Sequence, residues 1–317
     1  MRAVCLSEHE IQFRPEHRGA SSRNDLIEVR VLKAGICETD LQLKQGYMGF
    51  DGVLGHEFVG VATSGKFKGA RVVGEINCAC HSCEFCERGL PRHCARRTVI
   101  GILNHDGAFA DSVWVPEENL HVVPDSLSTE HAVFTEPVAA ACRILEQIKL
   151  SPADSVLVLG DGRLGNLCAQ VLKTTSCRLS VVGKHQWKLD RLIDLGISTM
   201  LLPDHSADAR FDYVVDCTGS PGGLELAVRS AKPCGTVIQK TTVAAPMTFH
   251  AAPVVIDEIQ LLGSRCGPFE PALRLLESGQ VKVDSMISAV YPLEDAISAF
   301  DHAERPDTLK VLFDVSD

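Results

Sequence analysis

Val156-Leu157-Val158-Leu159-Gly160-Asp161-Gly162-Arg163-Leu164-Gly165 reads as an apolar strand that breaks into a glycine-rich turn and then opens a helix. A G-x-G-x-x-G pattern carries weight only in that setting, between a strand and a helix inside a βαβ unit. Gly160 allows the tight turn, Gly162 lets the backbone approach a pyrophosphate, and Gly165 lets helix pack on strand. Arg163 leads into the helix opened by Leu164, with the anion at the helix N-terminus.

Working outward, Leu164–Lys173 places Leu164, Leu167, Cys168, Val171 and Leu172 on one helical face. Strand-like Leu179–Val182, helical Trp187–Leu195, strand-like Tyr213–Asp216, helical Gly223–Ser230 and strand-like Thr236–Gln239 follow. Such alternation predicts βαβ units and a parallel, doubly wound sheet, an α/β fold. About twenty residues beyond the glycines, an acid normally binds the adenosine ribose 2'-hydroxyl. Here Gly183-Lys184-His185 stands there, a cation and an imidazole that attract a 2'-phosphate, so NADP(H) is favoured over NAD(H). A plain solvated turn is the competing reading of Lys184 and His185.

Upstream, short alternating stretches at Arg2–Leu6 and Leu26–Leu32 surround a polar turn, His17–Asp25. Glycines then recur every few residues from Gly35 to Gly74, the pattern of a barrel-like all-β unit. Val53–Val61 reads as one strand with His56 near its start, and Ala70–Val73 as another. Ser128-Thr129-Glu130 caps a helix expected over His131–Ile148, and the tail holds helices at Pro271–Glu277 and Glu294–His302 and a last strand, Lys310–Val315.

Two groups of residues suggest metal. Cys80, Cys83, Cys86 and Cys94 form C-x2-C-x2-C-x7-C, a spacing that lets one loop wrap a tetrahedral ion in a closed, structural site. Cys78, His81 and His93 lie nearby and could substitute. Cys37 and His56, each followed by side chains with oxygen donors, suit an open zinc site, which needs three protein ligands and a labile position. Thirteen cysteines are an odd number, and in a chain of 317 residues whose Met1–Glu10 has no apolar leader they argue for metal binding in a reducing compartment over a disulfide scaffold. No stretch approaches the roughly 18 apolar residues of a membrane span. A formal charge of −10 without basic runs makes nucleic acid or an anionic membrane a poor partner and leaves a small molecule. A cytoplasmic protein is expected.

Taken together, Gly35-Ile36-Cys37-Glu38-Thr39-Asp40, Gly55-His56-Glu57, the four-cysteine lobe, Glu136-Pro137 and the dinucleotide loop resemble the zinc-dependent medium-chain dehydrogenase/reductase family, the alcohol, sorbitol and threonine dehydrogenase group. The resemblance covers nearly the whole chain. It implies a GroES-like β-barrel catalytic domain, discontinuous over 1–137 and 268–317 with a zinc lobe at 78–94, and a Rossmann domain over 138–267. Alcohol dehydrogenase is itself the standing example of a Cys2His catalytic zinc, so that chemistry comes with the resemblance. By it Cys37 and His56 are catalytic zinc ligands, Glu57 a ligand in some states, and Glu136 the third ligand, where alcohol dehydrogenases proper use Cys. A helix N-terminal carboxylate is the plain alternative for Glu136. Thr39 corresponds to the hydroxyl that takes the alcohol proton and Asp40 to the carboxylate that orients the histidine, although both residue types also cap helices. Thr218 and Arg265 match positions that approach the cofactor.

The expected protein is thus an enzyme with two zinc ions per chain, an NADP(H)-dependent alcohol or polyol dehydrogenase or carbonyl reductase, assembled as a homodimer or homotetramer. A zinc-independent quinone or enoyl reductase of the same fold is opposed by Cys37, His56 and Glu136, and a dinucleotide-binding redox sensor without turnover is the reading from another class. Two departures from the family pattern stand beside the site. Gln42 replaces a histidine that ends a proton relay, and Glu38 follows Cys37 directly. Met48 and Phe50 fit either a substrate cleft or the apolar core.

Overall fold

The structure, a computed structural model, describes residues 1–19, 26–206, 209–242 and 248–316. Of the polar turn expected over His17–Asp25, residues 20–25 lie outside the described residues. The chain divides into two compact units, one comprising Met1–Glu136, Ala272–Glu277 and Val283–Asp317, the other Pro137–Pro271 and Ser278–Lys282.

In the second unit six parallel strands lie in the order Ser198–Leu201, Arg178–Gly183, Ser155–Leu159, Phe211–Asp216, Ala231–Gln239, Gln260–Gly263. The strand that feeds the glycine loop is third. Chain order reverses between it and Phe211–Asp216, which is where open α/β sheets bind ligands. Val156, Leu157, Val158 and Leu159 are buried because helices cover both faces of a parallel sheet. The helix Arg163–Lys173 buries Leu167, Cys168, Val171 and Leu172 as its 3.6-residue spacing requires. The edge strands Ser198–Leu201 and Gln260–Gly263 were not evident from sequence. Both are short and largely exposed, so neither shows the apolar run of a central strand.

The first unit centres on a seven-stranded sheet. Leu120–Val122, Arg71–Gly74, Glu57–Ala62, Leu26–Gly35, Lys310–Asp314 and Ile287–Pro292 follow in order, with Ser112–Pro116 also pairing with Leu26–Gly35. The C-terminal strand lies antiparallel to Leu26–Gly35 and parallel to Ile287–Pro292. It brings Lys310 into the layer that holds Cys37 and His56. Phe109 packs edge-on against Phe313 and Phe300, with ring centroids 4.9 and 6.2 Å apart.

Two elements differ from the sequence expectation. Val53–Val61 is not one strand: Gly52–Val53 and Glu57–Ala62 are separated by Leu54-Gly55-His56, with Gly55 at φ +97°. That segment instead receives hydrogen bonds from the backbone of Ala108 (to Gly55, 2.9 Å) and Phe109 (to Leu54, 2.8 Å). The helix expected over His131–Ile148 is two helices, Thr129–Ala132 and Thr135–Gln147. Pro137 has no N–H to offer the carbonyl one turn back, and the Thr135 hydroxyl donates to the Ala132 carbonyl (2.7 Å), so the helix restarts. The strand Ile287–Pro292 was also unforeseen.

Candidate metal centre and dinucleotide loop

Cys37 is the N-cap of the helix Glu38–Lys44. Asp40, fully buried, accepts the Cys37 N–H through Oδ2 at 2.8 Å and sets Oδ1 3.3 Å from His56 Nδ1. One carboxylate therefore both caps the helix and faces the imidazole, so the two readings offered by the sequence coexist. With Nδ1 turned to Asp40, Nε2 is the nitrogen left to ligate. Burial by itself pushes the His56 pKa down, but the Asp40 carboxylate and Cys37 sulfur outweigh it and hold the ring well above its usual 6.5. A metal ion would displace that proton.

His56 is fixed from behind as well. A Cβ on Gly55 would run into the Phe109 ring, and one on Gly107 would meet the carbonyls of Leu54 and Gly55. The chain approaches itself here too closely for side chains.

Cys37, His56 and Glu57 each offer a ligand atom, and these atoms all lie within 4.8 Å of one another. Glu57 is about 1% exposed. Its Oε2 receives the ammonium of Lys310, which also donates to the Ile36 carbonyl at 3.1 Å and lies over the Phe134 ring. Glu57 Oε1 is buried with no hydrogen-bond partner among the described residues. A buried orphan carboxylate oxygen beside a thiol and an imidazole is what a zinc ion would satisfy, and the donor set fits that metal.

Glu136 is not in this group; it sits in the first turn of the helix Thr135–Gln147, half-buried. Thr39 Oγ1 lies 3.9 Å from Cys37 Sγ. Glu38 is exposed and accepts from Gln42 Nε2 at 3.3 Å, so both departures from the family pattern are tied together on the outer face of the helix. Met48 and Phe50 join Leu26, Ile102, Leu103 and Trp114 around a cavity of about 300 Å³ and are not core residues.

The cysteine lobe gathers Cys80, Cys83, Cys86 and Cys94. Sulfur separations are 3.5 Å for Cys83–Cys86, 3.7 Å for Cys83–Cys94 and 3.4 Å for Cys94–Cys80. A tetrahedral zinc with bonds of about 2.3 Å has sulfur edges near ~3.8 Å, so the cage has the size of the ion. The Ser82 backbone, with help from Cys94, the Ser82 hydroxyl and Arg96, brings the Cys80 thiol down to about 5. Burial and the neighbouring thiols Cys83 and Cys94 push Cys86 up to about 11. Cys78 turns instead toward Asn119, and His81 pairs with Glu118 at 3.0 Å.

In the second unit Gly160 has φ +111° and donates to the Val182 carbonyl at 2.8 Å. Gly162 is the N-cap of the helix begun by Arg163 and Leu164, and a Cβ built on it meets nothing within 4 Å. Backbone is open to an anion there, and at Gly165 a Cβ would strike the Gly160 carbonyl. The loop fits a pyrophosphate. Lys184 is exposed and His185 half-buried just beyond Gly183, at the end of the strand Arg178–Gly183. The Thr218 hydroxyl accepts from Ser220 N–H at 3.2 Å, and Arg265 is exposed. Sequence reasoning gave no role to Asp161 or Lys310. The second joins Glu57 from 253 positions away.

A glycine loop that fits a dinucleotide and a Cys–His–Glu donor set that fits zinc thus occur on one chain. Residues 23–125 match the alcohol dehydrogenase GroES-like domain family. The sorbitol dehydrogenase of Halalkalibacterium halodurans is 26% identical, with 98% of each chain covered. The alcohol dehydrogenase of Thermus sp. ATN1 is 28% identical, covers 100% of both chains and superposes with a TM-score of 0.90. A zinc-binding dehydrogenase from Sinorhizobium meliloti, solved bound to NADP, is 26% identical, covers 99% of both chains and gives a TM-score of 0.87. Over nearly its whole length the chain is thus similar to zinc-binding and alcohol dehydrogenases, and it is an enzyme.

Proposed function

We propose that this protein interconverts an alcohol or polyol and the corresponding carbonyl compound by hydride transfer to or from NADP(H), with NAD(H) as an accepted alternative. The observation that carries the reading is the cluster of Cys37, His56 and Glu57 ligand atoms within 4.8 Å. Polarisation of the substrate oxygen, with a lowered alcohol pKa, is what zinc supplies when bound there. Cys37 and His56 are the proposed ligands with Glu136 as the third, and Glu57 is a carboxylate that ligates in some states. Asp40 holds the imidazole in register, and Thr39 is proposed to receive the substrate proton. Gln42 cannot titrate, so the proton continues by water.

Gly160, Gly162, Arg163, Leu164 and Gly165 are proposed to cradle the pyrophosphate, with Gly183, Lys184 and His185 at the adenosine ribose and Thr218 and Arg265 along the cofactor. The NADP(H) preference is supported by the exposed Lys184 at the strand end and by NADP in the Sinorhizobium relative. Cys80, Cys83, Cys86 and Cys94 are proposed to hold a second, structural zinc. A cytoplasmic homodimer or homotetramer agrees with the family and with cysteines that are all free.

The test is to strip metal with a strong chelator and assay NADP(H)-linked turnover over a panel of alcohols, polyols and carbonyls. Activity should vanish and return with zinc; undiminished turnover in metal-free protein would reject the proposal.

A further inference from the structure

The acid normally found at the end of the second strand of a dinucleotide fold is missing from its usual place, where Lys184 stands. A carboxylate is nevertheless present at that strand end. Asp161, the residue between the first two glycines of the loop, is 7% exposed. Its Oδ2 accepts the backbone N–H of Lys184 at 2.8 Å and of His185 at 2.6 Å, and His185 Nδ1 lies 3.2 Å away.

Gly183 makes this possible. A Cβ there would come within 2.5 Å of Asp161 Cβ and 2.7 Å of Oδ2. The strand end has no side chain of its own, and the loop residue fills the space. Gly183 and Asp161 are therefore a matched pair: the strand gives up its side chain and the glycine loop supplies a carboxylate.

Oδ2 is fully engaged by these donors. Among the described residues Oδ1 meets only the His185 ring, at 3.4 Å, and a carboxylate has about four acceptor positions, so it keeps capacity for a ligand hydroxyl. The two amides that Asp161 takes are donors a 2'-phosphate would otherwise use at this place. A 2'-phosphate is left with the Lys184 ammonium and the His185 ring, and has a negative neighbour besides.

We propose that Asp161 is the specificity-determining acid of the dinucleotide site, delivered from the glycine loop instead of the strand end, and that it lets one site accept both NAD(H) and NADP(H). It accepts from the ribose hydroxyl of NAD(H), while Lys184 and His185 answer the 2'-phosphate of NADP(H). This deepens the cofactor reading given above and rests on it.

Fluorescence titration of the zinc-loaded protein with NADH and with NADPH tests the proposal without turnover. Wild-type dissociation constants should lie within about tenfold of each other, because each dinucleotide meets charged or polar partners of its own. Asp161→Asn should weaken NADH and tighten NADPH, moving their ratio toward NADPH by about tenfold or more. Asp161→Ser, which also removes the charge, should move it the same way. A merely structural role would weaken both dinucleotides alike, and a ratio within twofold of wild type in both variants overturns the proposal. Binding of neither dinucleotide by the wild type would instead overturn the cofactor reading itself.

Discussion

The Lys310 ammonium joins the Glu57 carboxylate to the Ile36 carbonyl, the peptide that leads into Cys37, although both side chains are almost wholly buried. A strand from the end of the chain thus supplies the countercharge for a residue in the metal centre. Breaking a buried ion pair on one side leaves an uncompensated charge.

Lys310→Met should therefore lower stability by about 3 kcal/mol or more in chelator-treated protein. Zinc at Cys37, His56 and Glu57 would replace the lost positive charge, so the zinc-loaded variant should lose much less. Thermal unfolding of the two forms decides the matter, and equal losses would show that Lys310 does not serve Glu57's charge.

Asp40 touches both Cys37 and His56. Removing a carboxylate that orients a metal-bound imidazole typically costs about 10–100-fold in affinity. Asp40→Asn keeps an acceptor for the Cys37 N–H but not the charge behind His56, and should weaken zinc binding by that range in competition with a chromophoric chelator. Unchanged affinity would reduce Asp40 to a helix cap.

Acid sensitivity should have a component in the second unit, which holds neither metal site. Asp212 accepts from Ser155 N–H at 2.8 Å and from its hydroxyl at 2.6 Å, and meets Lys232 Nζ at 2.9 Å. The Ser155 hydroxyl first, then the Ser155 amide and Lys232, bring its carboxyl from 3.8 to about 2. Because the folded pKa is depressed, the stabilisation is present above pH ~4 and disappears as pH falls toward ~2. With a third of the side chain exposed, screening limits it to about 1 kcal/mol. Asp212→Asn should lose that amount at pH 7 and only a fraction of it at pH 2, as read by urea unfolding; the same loss at both pH values would contradict the linkage.

Local features were legible in the sequence. The cysteine lobe and the glycine loop are each built within a short stretch, so spacing announced the first, and spacing in its strand–helix setting the second. Residues whose partners lie far along the chain were not. Lys310 looked like an ordinary residue of a last strand, because nothing near it in sequence names Glu57. Asp161 lay in plain view inside the motif, yet its carboxylate acts at Lys184 and His185, at the end of the neighbouring strand. The break at Leu54-Gly55-His56 was also hidden, since its apolar and glycine residues suit a strand until the backbone of Ala108 and Phe109 takes up its carbonyls.

The close packing around Gly55 bears on how this protein tolerates change. A Cβ on Gly101 would lie 2.5 Å from the Gly55 carbonyl, while Gly107 and Gly55 face the same crowding from the other sides. None of the three can ligate a metal or carry a proton through a side chain. In a complete map of tolerated substitutions they should nonetheless be as intolerant as Cys37 and His56. Such a map, taken without the structure, would count three pieces of scaffolding among the reactive groups.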